Sequence, residues 1–382
     1  MVRDKPRVFF LHSEMSPYRL ALFTQLAEHI DLTVYFCTKR GKGRLWNTGS
    51  EAAFWFRSKI LRNIKVGRMI CNYALPFELS PRFLSHFDVV MVDDDPRLTL
   101  SKIWVFIMAK AQGKSIIVWS EAIPEGYFNV FHNCLFKLMR PLRKWLYRGA
   151  DLLLAYSSKT KSFLQTHGVP DEKIISVPEA VPEPAINSRI SKESAKAELG
   201  FKNKKIILFV GYLSRRKGVK ELILAYKMLK CKDTCLLIAG TGPEEKYLRR
   251  IAQDREDIIF TGYADDERKV KLYTAADVFV LPSYVDPWGL VVNEAMMFGL
   301  PVIVSAGAGA SEMVKGNGFV VAPGDIDALK NVLGVILQDD ELRKAMSIKS
   351  KSIIKEYSIE KACVKIVEAI KSLIGGTYEN CP

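Results

Sequence analysis

Short apolar runs rich in β-branched residues alternate with amphipathic segments along most of the chain. Such near-continuous apolar runs are typical of strands in a parallel sheet that helices cover on both faces. The pattern therefore predicts an α/β protein built from strand–helix–strand units. The predicted strands are 8–12, 32–36, 89–92, 115–119, 152–155, 206–210, 235–239, 258–261, 278–281 and 301–304. Amphipathic segments between them include 19–29, 98–112, 218–229 and 244–252.

A proline-rich stretch divides this pattern into two halves. Residues 177–185 contain three prolines and show no helical periodicity, as in a stiff, extended linker. The length of 382 residues gives room for two domains. We predict an N-terminal domain over 1–185, a second domain over 186–355, and a C-terminal helix over 356–382 that packs back on the first domain. Two doubly wound domains would bind a ligand in the cleft between them, at the carboxyl ends of their strands.

The composition excludes several classes of protein. Hydrophobic residues make up 48% of the chain, too many for a disordered polybasic protein. No apolar run approaches the roughly 18 residues that a membrane span needs. The N-terminus leads directly into a predicted strand, so we expect no signal peptide and a cytoplasmic location. The seven scattered cysteines predict free thiols, and neither they nor the five histidines show the spacing of a metal site.

The charge balance indicates an anionic partner. The chain has 56 Lys and Arg residues against 42 Asp and Glu, a formal net charge of +14. Nucleic acid, a phosphorylated metabolite or a membrane surface would satisfy this excess. The sequence has no aromatic-basic recognition motif and no helix-turn-helix signature. A nucleic-acid-binding protein, whose affinity would fall steeply with salt, is therefore the minor alternative.

The segment after the predicted strand 278–281 is the most informative. A proline turn leads into a helix that is predicted to begin near Gly289 or Leu290, and its free N–H groups and dipole can hold phosphate oxygens. Gly289 lets a ligand approach the backbone, and Glu294 lies where a carboxylate can accept both hydroxyls of a ribose. Asp286 lies on the loop before the helix. On spacing alone, a capped strand–loop–helix unit with two solvated acids is the favoured interpretation.

Three further loops after predicted strands carry small or basic residues. Arg215, Arg216 and Lys217 lie between two glycines, and cations at a strand end can neutralise a diphosphate leaving group. The alternative is a solvated basic loop. The turns 239–243 and 307–312 are rich in glycine and alanine. Each turn is weak evidence alone, but the carboxyl ends of parallel strands share one edge of a sheet.

In this order and context, the four motifs resemble those of glycosyltransferase family 4, which has the GT-B fold. The family pattern E-P-F-G-L-V-x-x-E-A-M-A-x-G-x-P-V is matched by D-P-W-G-L-V-V-N-E-A-M-M-F-G-L-P-V at 286–302. The family's G-R-L-x-x-x-K-G is matched at 211–218 and its A-G-x-G-P at 239–243. Its downstream acid and N-G-x-x-x-x-P-G-D ending are matched by Glu312 and 317–325. The resemblance implies two doubly wound Rossmann-like domains facing across a cleft, with C-terminal helices. It also implies that the first domain, 1–185, binds the acceptor and that the second, 186–355, binds the nucleotide sugar.

The resemblance also implies a function. Members are retaining enzymes that move a sugar from a nucleoside-diphosphate donor to an acceptor hydroxyl, here in glycolipid, cell-surface polysaccharide or glycan synthesis. It implies that Lys217 binds the donor diphosphate and that Glu294 holds the ribose diol. The expected catalytic residues are Asp286, Lys217 and Glu121. The expected donor-binding residues are Arg215, Arg216, Gly240, Gly242, Tyr263, Gly289, Leu290, Val291 and Glu294.

The sequence departs from the family pattern at two positions. Tyr212 stands where members usually have a diphosphate-binding arginine, and Arg215 or Arg216 would supply that cation instead. Asp286 replaces the first glutamate of the paired acids and is one methylene shorter. These departures keep a related epimerase, phosphorylase or inactive sugar-nucleotide binder as the alternative. In the first half, Glu121 ends a strand where many members place a histidine near the reacting sugar; a satisfied loop acid is the equal alternative.

A basic amphipathic stretch spans 135–148, with no acidic residue between 126 and 150. It predicts a helix, interrupted at Pro141, whose cations, Arg143 among them, face outward and rest on an anionic membrane surface. A surface helix with solvated cations is the equal alternative. Because many family members use a lipid-linked or membrane-located acceptor, the resemblance favours a peripheral enzyme on the inner face of the membrane. No cofactor or metal is expected, since the D-x-D at 93–95 lies in the first half and is expected to cap the helix near Leu98.

Overall fold

The computed structural model describes residues 5–38, 55–61, 64–66, 69–71, 79–94, 100–121, 140–183 and 190–375. The chain forms two compact units, one of Met1–Pro182 with Ile359–Pro382 and one of Glu183–Ser358. Each unit is a parallel sheet covered by helices. The boundary between them lies inside the proline-rich stretch, and residues 184–189 lie outside the described ranges.

Unit 1 is the discontinuous unit. Its strands are β1 Arg7–Glu14, β2 Asp31–Thr38, β3 Arg57–Ile60, β4 Ile64–Val66, β5 Met69–Cys71, β6 Val89–Asp93, β7 Ser115–Ser120, β8 Leu152–Ala155 and β9 Ile174–Ser176. Its α-helices, within the ranges described, are α1 Pro17–His29, α2 Pro81–Leu84, α3 Leu100–Ala111, α4 Arg140–Gly149, α5 Ser158–Thr166 and, from the far end of the chain, Ile359–Ile374. The strand order is β3-β2-β1-β6-β7-β8-β9, parallel throughout, and β4 and β5 form a separate antiparallel pair.

The apolar strands of unit 1 contribute side chains to two hydrophobic cores, one on each face of the sheet. Alternate residues of a strand point to opposite faces. Phe10 of β1 accordingly lies in one core and Phe9 in the other. The C-terminal helix Ile359–Ile374 packs on α1 and buries Ile366 and Ile370 in the same core as Phe10. The last helix that the structure describes is therefore part of the first unit's interior.

Unit 2 is continuous in sequence. Its strands are β10 Lys205–Val210, β11 Thr234–Ala239, β12 Ile258–Gly262, β13 Val278–Leu281, β14 Val302–Ser305 and β15 Gly318–Val321. Its α-helices are α6 Lys192–Glu198, α7 Val219–Lys227, α8 Glu245–Ala252, α9 Asp266–Ala275, α10 Leu290–Met297, α11 Ile326–Gln338 and α12 Asp340–Ile353. The C-terminal helix of unit 1, Ile359–Ile374, is numbered α13. The parallel order is β12-β11-β10-β13-β14-β15. The order reverses between β10 and β13, and such a switch point is where open α/β sheets bind ligands.

The predicted α/β class, with Rossmann-like sheets and C-terminal helices, is confirmed. Every predicted strand is present with its ends shifted by at most two residues, because long apolar runs report burial directly. The strands that the pattern missed are short or lie at a sheet edge, as β3, β9 and β15 do. Within the described ranges, no helix has the length and apolar character needed to cross a bilayer.

The basic stretch is described only in part. Pro141 lies in the first described turn of α4, Arg140–Gly149, so the predicted interruption there stays a prediction. Residues 135–139, which carry the rest of the predicted stretch, lie outside the described part of the chain.

Candidate functional site

Four loops of unit 2 meet at one edge of its sheet, where β10, β11, β13 and β14 end. Backbone hydrogen bonds connect the loop after β10 to the loops after β11 and β13. Another connects the loop after β13 to the loop after β14. The bonds run from Leu213 N–H to Thr241 O (2.9 Å), from Tyr284 N–H to Arg216 O (2.8 Å) and from Asp286 N–H to Gly307 O (3.1 Å). The edge is therefore a fixed surface of backbone rather than a set of independent loops.

Glycines allow this close approach of backbone to backbone. Gly218 has φ +68°, and a Cβ added there would lie 2.1 Å from the carbonyl oxygen of Pro282. A Cβ on Gly240 would lie 1.9 Å, and one on Gly242 2.3 Å, from carbonyl oxygens of the loop after β10. Any side chain at these positions would push the loops apart. Gly240 and Gly242, expected to bind the donor, thus have a packing reason to be glycine.

The basic turn after β10 carries the main charges of this edge. Lys217 is buried, and its Nζ contacts Oδ2 of Asp286. Arg216 lies with its guanidinium nitrogen 3.6 Å from Oδ1 of Asp286 and donates to the carbonyl of Val285 at 2.9 Å. Burial would raise the pKa of Asp286, but the charges of Lys217 and Arg216 outweigh burial and hold that pKa below its ordinary value. Asp286 is therefore an ionised carboxylate, while Arg215 is exposed.

Helix α10 begins beside this ion pair, at the residue that the sequence predicted. Gly289 has φ +107° and precedes the first helical residue, Leu290. A Cβ on Gly289 would lie 2.5 Å from the Leu281 side chain and 3.8 Å from Oδ2 of Asp286, so the carboxylate is close to the helix N-terminus. Leu290 and Val291 are half-buried in the first turn, where backbone N–H groups lack helical partners. The N-terminal end of α10 and the cations of the basic turn therefore lie at one place.

Glu294 lies one turn into α10 and is held by α9. Its two carboxylate oxygens accept from Lys269 Nζ at 3.2 Å and from the Tyr273 hydroxyl at 2.7 Å. Burial would lower the pKa of Lys269, but the charges of Glu294 and Asp266 outweigh it and raise that pKa, so the ammonium keeps its charge. The Glu294 side chain remains 23% exposed. Its orientation is fixed while part of the carboxylate still faces solvent.

Two exposed tyrosines follow strands of the same sheet. Tyr212 follows β10, and Tyr263 follows β12. In the strand order β12-β11-β10, they lie on either side of β11. Aromatic faces at such an edge are available for stacking on a planar ligand.

Glu121 belongs to a separate polar cluster in unit 1. Arg19, buried in the first turn of α1, pairs with Glu179 at 2.6 Å and contacts the Tyr156 hydroxyl. The Tyr156 hydroxyl donates to Glu121 Oε1 at 2.9 Å, and Arg19 lies 3.4 Å from the same oxygen. Burial, more than any nearby charge, raises the pKa of Tyr156, so its proton stays available to Glu121. The guanidinium of Arg19 also lies over the rings of Tyr18, Trp119 and Tyr156, 4.7–5.2 Å from their centroids.

Asp93 and Asp94 have partners elsewhere in unit 1. Residues 95–99, where the helix near Leu98 was predicted to begin, lie outside the described part of the chain, so the capping prediction stays a prediction. Asp94 accepts from Tyr147 OH at 2.7 Å and from the backbone N–H of Glu121 at 2.8 Å, while Asp93 contacts Lys102. Both acids are buried, where a carboxylate needs several donors to offset its lost hydration. Among the described residues, no group of three His, Cys, Asp or Glu side chains could hold a metal ion.

The basic helix α4 keeps only part of its expected outward face. Arg143 is buried and does not face outward as expected. Burial raises the pKa of Asp94, and the charge of Arg143 only partly opposes that rise. Trp145, which packs on Phe106, is 45% exposed. The exposed cations recur every fourth residue, at Arg140, Lys144 and Arg148.

The structure also adds residues that the sequence did not single out. Lys269 and Tyr273 share one face of α9, four residues apart, but nothing in that spacing pairs the face with Glu294. Arg19 lies 160 positions from Glu179. Such pairs form through tertiary packing, so no local pattern in the sequence indicates them.

Comparison with known proteins finds a family model that matches most of the second unit. Residues 191–353 match the family model for glycosyl transferases group 1. O-antigen chain mannosyltransferase B of Escherichia coli is 32% identical over 173 residues, 44% of this chain and 45% of that protein. An uncharacterized glycosyltransferase of Methanocaldococcus jannaschii is 28% identical over 334 residues, 79% of this chain and 83% of that protein. The match to the M. jannaschii protein is the longer of these two. In the first two curated relatives, the chain spans only about half of the relative's length.

A solved structure extends the likeness to both units. The crystal structure of Anabaena HepE in complex with UDP aligns with a TM-score of 0.76 at 18% identity, covering 96% of this chain and 100% of that one. At that identity the likeness establishes the fold. Residues 191–353 therefore match the glycosyl transferases group 1, and the chain has the fold of the GT-B glycosyltransferases.

Proposed function

We propose that the chain is a retaining glycosyltransferase of family 4 that moves a sugar from a nucleoside-diphosphate donor to an acceptor hydroxyl. The observation that carries the proposal is the juxtaposition at the switch point of unit 2: Lys217 and Arg216 lie at the N-terminal end of α10. Cations and a helix N-terminus together bind the oxygens of a diphosphate. HepE, which shares the fold, was solved with UDP, and this supports a nucleoside diphosphate as the ligand class.

The remaining residues of the edge would each bind a different part of the donor. Glu294, oriented by Lys269 and Tyr273, would accept hydrogen bonds from the ribose hydroxyls. The backbone of Gly289, Leu290 and Val291 would lie along the phosphates and the donor sugar. Tyr263 would contact the base, and the exposed Arg215 would add charge beside the diphosphate.

Catalysis would consist mainly of positioning and of stabilising the departing diphosphate. Lys217, Arg216 and the dipole of α10 lie in a largely buried edge, where fixed charges act more strongly than in water. The proposal includes no metal or other cofactor, because these groups supply the positive charge. In unit 1, Glu121 would face the acceptor sugar as a carboxylate held by Tyr156 and Arg19. The E. coli relative's name, an O-antigen mannosyltransferase, supports a glycan or glycolipid product.

A nucleotide screen tests the proposal. We expect UDP or GDP, and the matching nucleotide sugar, to raise the unfolding temperature, since a ligand at 100 times its Kd stabilises the native state by about 2.7 kcal/mol. Inorganic phosphate and AMP are the controls that lack a diphosphate. No shift with UDP, GDP or ADP in wild-type protein would overturn the proposal.

Product analysis with labelled sugar nucleotides then separates the reaction classes. Transfer to an acceptor with the donor's anomeric configuration kept supports the retaining glycosyltransferase. An isomerised free sugar or nucleotide sugar indicates an epimerase, and a sugar phosphate formed with inorganic phosphate indicates a phosphorylase. Binding without any product indicates an inactive binder.

We also propose that α4 brings the enzyme to an anionic membrane surface. The stripe of Arg140, Lys144 and Arg148 is exposed beside Trp145, and basic stripes with an aromatic neighbour bind anionic headgroups. Sedimentation with vesicles of phosphatidylglycerol should exceed that with phosphatidylcholine and weaken with salt. The charge reversals Lys144→Glu and Arg148→Glu together should abolish the difference, whereas Lys355→Glu, an exposed lysine of unit 2, should not. Equal sedimentation with both lipids would contradict this part of the proposal.

A further inference from the structure

We propose that Lys269 and Tyr273 of α9 are positioning residues that make the donor site select ribonucleotides over nucleotides without the ribose diol, acting through Glu294. The inference rests on the proposed function, in which Glu294 accepts hydrogen bonds from the ribose hydroxyls, and deepens it by naming what gives that carboxylate its selectivity. The feature that carries it is a pair of donors, four residues apart on one face of α9, that meet a single carboxylate of α10.

The two donors occupy different oxygens of the Glu294 carboxylate. Lys269 Nζ donates to Oε1 at 3.2 Å, and the Tyr273 hydroxyl donates to Oε2 at 2.7 Å. Each carboxylate oxygen has two lone-pair positions, so each keeps one for a further donor. One remaining acceptor position on each oxygen matches the two adjacent hydroxyls of a ribose. The side chain, which is 23% exposed, stays open to such a ligand.

Tyr273 supplies the rigid part of this arrangement. Its side chain is buried, and its ring lies 5.5 Å from that of Phe298, nearly parallel at 19°, and 6.0 Å from that of Phe279. Because a tyrosine has only two side-chain torsions, packing of the ring also fixes its hydroxyl. Burial, together with the charge of Glu294, raises the pKa of Tyr273 well above its ordinary value, so the hydroxyl keeps the proton that it donates.

Lys269 adds a charge to the hydrogen bond from Tyr273. Its ammonium lies 3.2 Å from Glu294 and 3.0 Å from Asp266, but Asp266 is 97% exposed, so solvent weakens that second pair. A glutamate held by neither donor would spread over several rotamers, and ordering it when the nucleotide binds would cost affinity. Lys269 and Tyr273 order the carboxylate in advance. The gain in affinity applies only to a ligand that carries the ribose hydroxyls.

Calorimetry on nucleotides with and without the diol tests the inference. Wild type, Tyr273→Phe, Lys269→Met and Glu294→Ala would be titrated with UDP, GDP and ADP and with their 2′,3′-dideoxy analogues. In wild type we expect the ribonucleotide to bind at least about tenfold more tightly than its dideoxy analogue, the scale of a hydrogen bond to a charged group. Tyr273→Phe and Lys269→Met should each lower that ratio at least about threefold by weakening the ribonucleotide alone. In the Glu294→Ala background neither should have a further effect.

Two variants of unit 2 are matched controls. Lys271 lies on the same helix but pairs with Glu198 and Glu267. Tyr226 is a buried tyrosine whose hydroxyl donates at 2.8 Å to Asp257, the residue before β12. Lys271→Met and Tyr226→Phe thus remove comparable contacts away from Glu294. Both should keep the wild-type ratio of ribonucleotide to dideoxy affinity.

Other results contradict the positioning role. Equal weakening of the ribonucleotide and its dideoxy analogue, or an unchanged ratio in both variants, overturns the inference and leaves the proposed function intact. A further weakening by Lys269→Met in the Glu294→Ala background indicates direct contact of Lys269 with the nucleotide and also overturns it. Failure of wild type to bind UDP, GDP or ADP would instead overturn the proposed function, and the inference with it. If Lys269→Met does not fold, Tyr273→Phe, which keeps the packed ring, permits the same comparison.

Discussion

Lys217→Met is expected to lower the rate of sugar transfer at least about tenfold, the scale on which charge-assisted contacts to a transition state act. The loss should appear in kcat as well as in KM, because negative charge on the diphosphate grows as the sugar departs. The buried position of Lys217 strengthens the effect, since solvent screens its charge less than that of a surface lysine. Steady-state transfer with labelled donor, on protein with a wild-type circular dichroism spectrum, measures it.

The controls for this variant are close by in the sequence. Lys220→Met removes an exposed lysine three residues further on and should leave transfer unchanged. Lys217→Arg keeps the charge and should recover part of the rate. Because Lys217→Met leaves Asp286 with Arg216 alone, the variant's stability must be measured beside its rate. Folded Lys217→Met that transfers within twofold of wild type would contradict the assignment of the diphosphate site.

Arg19→Met is expected to lower the free energy of unfolding by about 3–5 kcal/mol, the cost of removing one partner from a buried ion pair. The variant leaves the Glu179 carboxylate, which is 2% exposed, without its 2.6 Å partner. It also removes the cation that packs between three aromatic rings. Urea unfolding at pH 7, followed by tryptophan fluorescence, measures the loss; Trp119 lies beside Arg19 and reports on unit 1.

A surface pair in the same unit provides the comparison. Arg57 contacts Asp31 at 2.6 Å, but its side chain is 71% exposed, so Arg57→Met should cost at most about 1 kcal/mol. Adding Glu179→Gln to Arg19→Met should restore much of the lost free energy of unfolding, because most of that loss comes from leaving the buried Glu179 carboxylate without Arg19. A loss below about 1 kcal/mol for Arg19→Met alone would show that the cluster is solvated in solution.

The fold was largely predictable because its signal is local. An interior strand such as β13, in which all four residues are buried, is apolar along its whole length, and the sequence shows this directly. The edge strand β3, Arg57–Ile60, has no buried residue and resembles a loop. The N-terminal end of α10 was predictable for the same reason, since Gly289 marks it.

The candidate site was predictable only where motifs are contiguous. Lys217 and Asp286 were each found from their own loops, but their contact across 69 positions depends on the order of the strands. Arg143 was expected to face outward because its neighbours are basic, yet it is buried and interacts electrostatically with Asp94, which follows β6. The role of a charged residue thus depends on distant partners that no spacing along the chain encodes.

The return of α13 to unit 1 sets the order in which the protein can mature on the ribosome. Residues 183–358 are made between the two parts of unit 1. At 5–20 residues per second, that interval lasts roughly 10–35 s. Throughout it, the face of α1 that α13 will cover stays bare, whereas unit 2 is contiguous and can fold as it emerges. Unit 2 can therefore complete its fold before unit 1 does. The incomplete unit 1 is the part of the nascent chain that needs protection from aggregation.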